Sequence, residues 1–421
     1  MRRLSPHTPL RALMTLLLSL SIGSACGSET EPSGLELAAV SDAVPTTDGD
    51  GATDAEPGET SALDADLFET FEDVSRDDDA LDISSAADTA GDVETDENGT
   101  EEVVSPPLYP LDDTLRLNHI QALGTHNSYH QQPQAPLHPS HKYTMPTLTD
   151  QLELHGVRQF EWDLHWHMDG HLEVFHIPLI DQVSSCTLFS DCLEETLAWS
   201  DSNQGHAPLI IWMELKDDVD NGVLGDYASL AGHYEDVETA ILDVFDPPRV
   251  LTPDEVRGEH ATLPEALSAV GWPTLGALRG RVVFVFLEDG DHRDAYLEGS
   301  PSLEGKLLFV DSDDPSQPFA GFFKINNAQG DFDLVQERVS AGFIVTSNVD
   351  DVDGSHENNV SKLAASLESG THFLSTNYPA VSTDGSYFAQ IPEGSPVRCN
   401  PVSAPAQCTA TALENLPGGA P

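Results

Sequence analysis

Eight short apolar runs, spread over about 280 residues between Pro107 and Gln390, most constrain the fold of this chain. Several are nearly continuous runs of β-branched and aromatic residues, as expected for parallel strands that are covered on both faces. Most end in polar or charged residues. The predicted strands are Ile120–His126, Arg158–His165, Leu209–Lys216, Val282–Glu288, Leu307–Asp311, Phe322–Ile325, Phe343–Asn348 and Phe373–Asn377. Their number and the length of the region predict an α/β fold, a (β/α)8 TIM barrel with its chemistry at the carboxyl ends of the strands.

Charge is unevenly distributed along the chain. Between Gly27 and Val104 there are 25 acidic residues and a single basic one, Arg76. This segment has no sustained apolar periodicity, so it cannot bury enough surface to offset the entropy cost of ordering. We therefore expect four parts: a signal peptide at 1–25, a disordered acidic linker at 26–106, the barrel domain at 107–392 and a C-terminal tail at 393–421.

The first 25 residues have the features of an export signal. Basic residues precede an apolar run from Ala12 to Leu20, which is too short to span a bilayer, and small residues follow. Cys26 directly follows Gly-Ser-Ala, which resembles a bacterial lipoprotein signal in which the cysteine is lipidated. The sequence predicts an exported lipoprotein, held at a membrane surface of the cell envelope by a lipid on Cys26. Simple cleavage after Ala25, which would give a secreted protein, is the alternative.

The net charge of −54 excludes a class of partner. Nucleic-acid phosphates would be repelled, and the favourable release of counterions would be lost. After Val104 the chain still carries 47 acidic residues against 14 basic ones, so basic patches are not expected to attract it to a membrane.

The cysteines suit an oxidising compartment. If Cys26 carries a lipid, four cysteines remain. Three pairings are possible, and the local one closes the shortest loops: Cys186 with Cys192, and Cys399 with Cys408. A metal-thiolate site is the alternative.

Candidate site residues are concentrated early in the barrel. Ten of the 17 histidines lie in residues 119–176. His126 and Asn127 end the first predicted strand. In the second strand, the two-residue period places four ionisable side chains on one face: Glu161, Asp163, His165 and His167. Such a row would be costly inside a core, which indicates a polar barrel mouth.

The third predicted strand brings Glu214 and Lys216 to the same face at its carboxyl end. Three successive strand ends thus present the oxygen donors of Asn127, Glu161, Asp163 and Glu214. Carboxylate and amide oxygens favour Ca²⁺ over Zn²⁺, which leaves His126 and His176 free for proton transfer. The purely structural alternative is a salt-bridge network with Lys216 and Arg158.

At these residues the sequence resembles the calcium-dependent phosphoinositide phospholipase C family, specifically its bacterial secreted branch. The matching blocks are Thr125-His126-Asn127-Ser128-Tyr129, Glu161-Trp162-Asp163, Val174-Phe175-His176, Trp212-Met213-Glu214-Leu215-Lys216 and, more weakly, Gly342-Phe343-Ile344-Val345. The resemblance spans roughly residues 115–379 and leaves the acidic segment and the C-terminal tail uncovered.

The resemblance implies a barrel that binds Ca²⁺ through Asn127, Glu161, Asp163 and Glu214. It also implies that His126 and His176 act at the scissile phosphate, with His176 as general acid and His126 stabilising the transition state. The inositol 2-hydroxyl would attack phosphorus, releasing diacylglycerol and a cyclic inositol phosphate. Metal-independent bacterial relatives place an arginine where this chain has Asp163, so an acid there implies metal dependence.

One segment departs from the family pattern. After Val345 the secreted bacterial branch commonly carries arginines, whereas this chain has Thr346-Ser347-Asn348-Val349-Asp350. If those arginines hold the headgroup of the substrate, its identity is open. Lys216 and Lys324 are the remaining basic candidates for phosphate contact in an inositol phospholipid or related phosphodiester.

Three other functions compete with this interpretation. A zinc metallohydrolase of the amidohydrolase type would use the His165-Trp166-His167 pattern, with later strand ends offering Glu288, Asp289, Asp291 and His292. A glycerophosphodiester phosphodiesterase would show His-Arg-Gly at the first strand, where this chain has His126-Asn127-Ser128. An inactive surface protein that binds Ca²⁺ or lipid is supported only by the missing arginines.

Overall fold

The computed structural model describes residues 109–217, 226–288, 290–382, 385–392 and 396–414. The expected signal peptide, Cys26 and the acidic linker therefore lie outside the described residues. All described residues belong to one compact unit. Among them, no helix has both the length and the apolar character needed to cross a bilayer.

Eight parallel strands form a nearly closed barrel, in the order Phe309–Val310, Val282–Phe286, Leu209–Leu215, Val157–His167, Ile120–Thr125, Phe373–Thr376, Ile344–Asn348 and Phe322–Lys324. A parallel bridge between Asp311 and Phe322 joins the two ends of this order. The predicted (β/α)8 barrel is thus confirmed. The strands of the sheet, including three short strands that pair outside this order, are β1 Ile120–Thr125, β2 Val157–His167, β3 His171–Val174, β4 Leu209–Leu215, β5 Tyr227–Ala228, β6 Val282–Phe286, β7 Phe309–Val310, β8 Phe322–Lys324, β9 Ile344–Asn348, β10 Phe373–Thr376 and β11 Val397–Cys399.

Helices occupy most of the connections between barrel strands. Residues 311–321, which join β7 to β8 and are all described, contain none. The helices are α1 Leu148–Glu153, α2 Phe189–Ser202, α3 Tyr234–Val244, α4 Pro253–Arg257, α5 Leu263–Ala269, α6 Leu275–Leu278, α7 Gly290–Tyr296, α8 Phe332–Ser340 and α9 His356–Ser369.

Local sequence explains where several helices begin and end. Threonine or serine side chains accept a hydrogen bond from an amide of the first turn at α1, α4, α5, α6 and α9. Such caps satisfy amides that have no partner inside the helix. At the other end of α9, Gly370 has φ of 87°, a conformation in which glycine carries no Cβ penalty.

The barrel strands are apolar because both of their faces are covered. All five residues of β6 are buried, and so are the first five of β4. The indole of Trp212 on β4 packs edge-on against Phe322 of β8, across the barrel order. Burial of this apolar surface favours closure of the barrel.

Strand β2 is longer than its neighbours because its end forms a hairpin with β3. Leu164 to His167 pair antiparallel with Val174 to His171. The turn of the hairpin contains Gly170, whose φ is 86°. The chain therefore returns to the rim of the barrel directly before His176, and the amide of Phe175 donates to the carbonyl of Asp163 (3.3 Å).

The described part of the C-terminal tail packs on the amino-terminal end of β1. Strand β11 pairs antiparallel with β1, with Cys399 opposite Ile120. The side chain of Glu414 accepts hydrogen bonds from Arg158 Nε (3.1 Å) and from the amide of Ala207 (2.7 Å). Residues 396–414 thus tie together segments that are far apart in the sequence.

Both predicted disulfides are confirmed, with local pairing. Cys186 is bonded to Cys192, and Cys399 to Cys408. The first closes the loop that leads into α2, and the second closes the loop after β11.

Candidate active site

The predicted site residues lie at the carboxyl ends of adjacent barrel strands. His126 and Asn127 follow β1, Glu161 and Asp163 lie on β2, and Glu214 lies on β4. Asp163 is directly opposite Glu214 in the parallel register of β2 and β4. Parallel strands present their carboxyl ends at one edge, so side chains remote in sequence meet there.

The backbone after β1 turns sharply at Asn127, which has a φ of 46°. Asparagine adopts this left-handed conformation more readily than most residues. The turn lets the amide of Ser128 donate to the carbonyl of Glu161 (3.0 Å), while the Ser128 hydroxyl accepts from the amide of Glu161 (2.9 Å). Asn127 is thereby held beside β2 with only 3% of its surface exposed.

Two lysines pair with the carboxylates of this cluster. Lys324 Nζ, at the end of β8, is 2.6 Å from Glu161 Oε2. Lys216 Nζ is 3.2 Å from Asp163 Oδ2 and also forms an ion pair with Glu214. The acidic cluster is therefore Glu161, Asp163 and Glu214, with Lys216 and Lys324 as counter-charges.

Burial and charge move the pKa values of two of these acids in opposite directions. Burial raises the pKa of Asp163 to about 6, against the opposing effect of Lys216. Burial also acts to raise the pKa of Glu214, but Lys216, with smaller contributions from Lys324 and His126, holds that pKa below its ordinary value. Asp163 is thus the carboxyl most in need of additional positive charge.

The donor set fits Ca²⁺. The side chain of Asp163 is fully buried, and Lys216 Nζ lies 3.2 Å from its Oδ2. Three carboxylates and the amide oxygen of Asn127 form a hard, oxygen-only set. The two lysines leave one negative charge of the three uncompensated, which a divalent cation would neutralise.

His126 is oriented by Asn377, a residue 251 positions later in the sequence. Its Nδ1 lies 3.0 Å from Asn377 Oδ1, and its Nε2 lies 3.9 Å from Glu161 Oε1. Asn377 Nδ2 donates to Asp350 Oδ1 (3.0 Å), which fixes the amide so that its oxygen faces His126. Since that oxygen only accepts, the proton of neutral His126 sits on Nδ1, and Nε2 faces the acidic cluster. Burial lowers the pKa of His126.

His176 is oriented by Asp181, in the loop after β3. Its Nδ1 donates to Asp181 Oδ2 (2.8 Å), and the same carboxylate accepts from His130 Nε2 (2.9 Å). Burial acts to raise the pKa of Asp181, but the hydrogen bonds from the two histidines hold it well below its ordinary value. His176 retains 26% exposure and interacts electrostatically with both His126 and Asp163.

Three residues that orient the histidines were not predicted from the sequence: Asp181, Asn377 and Asp350. Asn377 ends the last predicted strand, a position at which polar residues of a barrel face the site. Asp350 belongs to the segment that replaces the arginines of the family. It is 2% exposed and contacts Asn377, so it supports His126 from behind.

Three residues that the sequence offers as candidates for the site lie outside the acidic cluster. His165 is buried, stacks on Phe175 and donates to its carbonyl (2.8 Å), and burial lowers its pKa to about 3. His167 stacks on His171 in the β2–β3 hairpin. Arg158 pairs with Glu414 and not with the acidic cluster.

Among the described residues, no group that could hold a metal ion combines His165 or His167 with the later strand ends. Glu288 accepts a hydrogen bond from the amide of Leu215. His292 pairs with Asp217 (2.9 Å) and with the hydroxyl of Tyr234. Asp289 lies outside the described residues.

Solved structures similar to this chain include two bacterial enzymes. A Ca²⁺-dependent phosphatidylinositol-specific phospholipase C from Streptomyces antibioticus is 17% identical, with a TM-score of 0.48 over 63% of this chain and 96% of that one. The calcium-dependent phosphoinositol-specific phospholipase C of a Pseudomonas species is 19% identical, with a TM-score of 0.49 over 70% of this chain and 99% of that one. No curated protein sequence matches this chain.

The family assignment comes from the sequence itself. The pattern of the family described as phosphoinositide phospholipase C, Ca²⁺-dependent, matches residues 115–172 and 168–401. These ranges include both histidines and every proposed Ca²⁺ ligand, and they cover well over half of the chain. The resemblance noted in the sequence is confirmed, and the main interpretation is favoured over the zinc, glycerophosphodiester and inactive alternatives. The chain belongs to the Ca²⁺-dependent phosphoinositide phospholipase C family, a family of phosphodiesterases that use Ca²⁺.

Proposed function

We propose that the strand ends form the catalytic centre, with His126 and His176 flanking the scissile phosphodiester of an inositol phospholipid. The observation that carries this proposal is the pairing of two separately oriented histidines with a cluster of three carboxylates that two lysines only partly neutralise. The two histidines can transfer protons, and the acidic cluster offers a site for a hard cation.

In this proposal the ligands of Ca²⁺ are Asn127, Glu161, Asp163 and Glu214. When bound there, Ca²⁺ would lower the pKa of the attacking inositol hydroxyl and neutralise charge on the phosphate oxygens. The remaining steps belong to the side chains of this chain.

His176 acts as the general acid. Asp181 holds Nδ1 of His176 as a donor, which leaves Nε2 to deliver a proton to the oxygen of the departing diacylglycerol. His126 stabilises the transition state in its protonated form: Asn377 fixes the ring through Nδ1, and the second proton, on Nε2, faces the charge that develops on the phosphate. Attack by the 2-hydroxyl on phosphorus then leaves a cyclic inositol phosphate.

Lys216 and Lys324 are our candidates for phosphate contact. Both ammonium groups lie among the ligand carboxylates, with Lys324 only 6% exposed. A lysine ammonium is a point charge suited to phosphate oxygens. Their present partners are the carboxylates that Ca²⁺ would take, which would release the lysines toward the substrate.

We also propose export and lipid attachment at Cys26. The support is the basic and apolar composition of residues 1–25 and the Gly-Ser-Ala-Cys sequence. Metabolic labelling with a radioactive fatty acid tests it: wild-type protein incorporates label, and Cys26→Ala does not. Label in both, or in neither, contradicts lipidation at this residue.

Hydrolysis of phosphatidylinositol vesicles by the full chain tests the reaction. We expect no turnover in EGTA, turnover after Ca²⁺ is restored, and a cyclic phosphate visible by ³¹P NMR. His126→Ala and His176→Ala are expected to abolish turnover while binding Ca²⁺ as the wild type does. Near-normal rates in either variant would remove the proposed roles. Activity on other esters or amides with Zn²⁺ alone would instead indicate a metallohydrolase.

A further inference from the structure

Three histidines converge on one buried carboxylate beside the proposed centre. Asp181 has no exposed surface and accepts from His176 Nδ1 (2.8 Å) and His130 Nε2 (2.9 and 3.0 Å). His141 places its Nδ1 3.8 Å from Asp181 Oδ2, and its ring lies edge-on to that of His176 with the centroids 5.6 Å apart. This cluster is separate from the oxygen donors of the Ca²⁺ site.

His141 is the member of the cluster for which the proposed reaction has no use. Its Nδ1 is buried and has no hydrogen-bond partner among the described residues, and its side chain is 9% exposed. A buried polar atom without a partner is unfavourable unless something binds it. A neutral imidazole can present a lone pair at Nδ1 to a metal ion.

The three side chains are close enough to share a metal ion. One ligand atom from each of His141, His176 and Asp181 lies within 4.8 Å of the other two. Ligand atoms about 2.0–2.1 Å from a tetrahedral Zn²⁺ lie about 3.3 Å apart. The distances found here, 2.8 Å and 3.8 Å from Asp181 Oδ2, bracket that value.

The surroundings of the cluster favour zinc over calcium. Two imidazole nitrogens and one carboxylate form a set that suits Zn²⁺ and other transition metals. His130 supports Asp181 from behind, and its own Nδ1 contacts the carbonyl of Tyr143 (3.1 Å), the kind of outer contact that orients ligands in metal sites. The exposed part of His176 gives an ion a path from solvent.

We propose that His141, His176 and Asp181 form an inhibitory site for Zn²⁺ or a similar transition-metal ion. Binding displaces the proton from His176 Nδ1, which passes to solvent, so the ring can no longer form the imidazolium that protonates the leaving group. Excess Ca²⁺ does not relieve the inhibition, because the two ions have different ligands. The inhibitory effect rests on the proposed role of His176, whereas the site itself does not.

Zinc binding tests the site without reference to activity. The full chain, saturated with Ca²⁺, is titrated with Zn²⁺ against a chromophoric chelator. We expect His141→Asn to bind one equivalent fewer than the wild type. The matched control is His138→Asn, an exposed histidine three residues away that caps a turn through Ser140, and it is expected to bind as the wild type does.

A second cluster on the β2–β3 hairpin, made of His167, His171 and Glu173, also places its ligand atoms within 4.8 Å of one another. His171→Asn therefore separates that binding from the proposed site. If His141→Asn binds as many equivalents as the wild type, with equal affinity, the proposed site is excluded. Thermal unfolding checks that each variant is folded. If His141→Asn is not folded, His141→Gln is used in its place.

Inhibition of Ca²⁺-dependent vesicle hydrolysis tests the consequence. We expect Zn²⁺ to inhibit the wild type at every Ca²⁺ concentration, and His141→Asn to require at least about tenfold more Zn²⁺. His138→Asn and His171→Asn are expected to follow the wild type. Relief by excess Ca²⁺, or equal inhibition of His141→Asn, would overturn the inhibitory role. Loss of all hydrolysis before Zn²⁺ is added would instead refute the proposed function, while the binding result would still decide the site.

Discussion

At the scale of single residues, charge balance decides what the strand ends can do. Glu161, Asp163 and Glu214 carry three negative charges when ionised, and Lys216 and Lys324 supply two positive ones. Burial raises the pKa of Asp163 to about 6, which shows that the lysines leave its charge incompletely compensated. A divalent cation supplies the missing charge and makes the ionised form of Asp163 the stable one.

Removing one ligand should weaken Ca²⁺ binding more than it changes the chemistry. We expect Asn127→Ala and Glu214→Gln to lower Ca²⁺ affinity at least about tenfold, and saturating Ca²⁺ to restore part of the activity. Isothermal titration calorimetry and vesicle hydrolysis give the two quantities. Glu173→Gln, on the nearby hairpin but outside the acidic cluster, is the control and should leave both unchanged. If a variant binds Ca²⁺ with wild-type affinity, the substituted residue is not a ligand.

Ca²⁺ binding should also depend on pH through Asp163. Its pKa of about 6 means that the carboxyl is ionised above pH 6 and takes up a proton below it. Since Ca²⁺ must displace that proton, affinity should be constant above about pH 7 and fall toward about tenfold per pH unit below pH 6. Titrations between pH 5 and 8 measure this slope. Asp163→Asn should bind more weakly and show a flatter profile; an equally steep profile would assign the titration to another group.

At the scale of secondary structure, the strands that could be predicted are those whose own sequence is a continuous apolar run. All eight predicted barrel strands are observed, and no end differs by more than two residues, as for Leu307–Asp311 against β7 at Phe309–Val310. Strands covered on both faces must be apolar throughout, so their sequence alone marks them. Strands β3, β5 and β11 are two to four residues long, and their pairing with remote segments leaves no such mark.

The site shows the same division between local and remote information. The strand-end positions of Glu161, Asp163 and Glu214 follow from where the apolar runs stop. The partner of His126 does not, because Asn377 is 251 positions away and meets it only when the barrel closes. The sequence shows Asp350 only as a departure from the family pattern, because its contact with Asn377 exists only in the folded chain.

The β2–β3 hairpin can be tested through its turn. Gly170 has a φ of 86°, and a Cβ added there would meet no atom within 4 Å. Gly170→Ala should therefore lower the free energy of unfolding by about 1–2 kcal/mol through backbone strain alone. Urea denaturation measures the change. Gly205→Ala is the control, because its φ is not in the left-handed region and its Cβ would make only ordinary contacts with Tyr109. Equal effects of the two substitutions would show that strain at the turn is not the cause.

At the scale of the whole molecule, the described part of the tail stabilises the end of the barrel that is opposite the site. Strand β11 extends the pairing of β1, and Glu414 meets Arg158 at the start of β2. Arg158 has no exposed surface and Glu414 has 4%. The sequence predicts a tail at 393–421 that follows the barrel. It does not predict the ion pair between Arg158 and Glu414, because these residues are 256 positions apart and no local pattern indicates their contact.

Glu414→Gln should destabilise the protein without changing its chemistry. The substitution leaves the charge of Arg158 buried and unpaired, which typically costs about 3–5 kcal/mol. We expect a lower midpoint of thermal unfolding, with kcat unchanged at temperatures where the variant is folded, because Arg158 lies at the opposite end of β2 from Asp163. Glu255→Gln is the matched control: Glu255, whose side chain is 46% exposed, pairs with Arg281, and losing this pair should cost at most about 1 kcal/mol. If Glu414→Gln were no less stable than Glu255→Gln, the ion pair between the tail and the barrel would not stabilise the fold. A fall in kcat with unchanged stability would instead show that this end of the barrel affects the site.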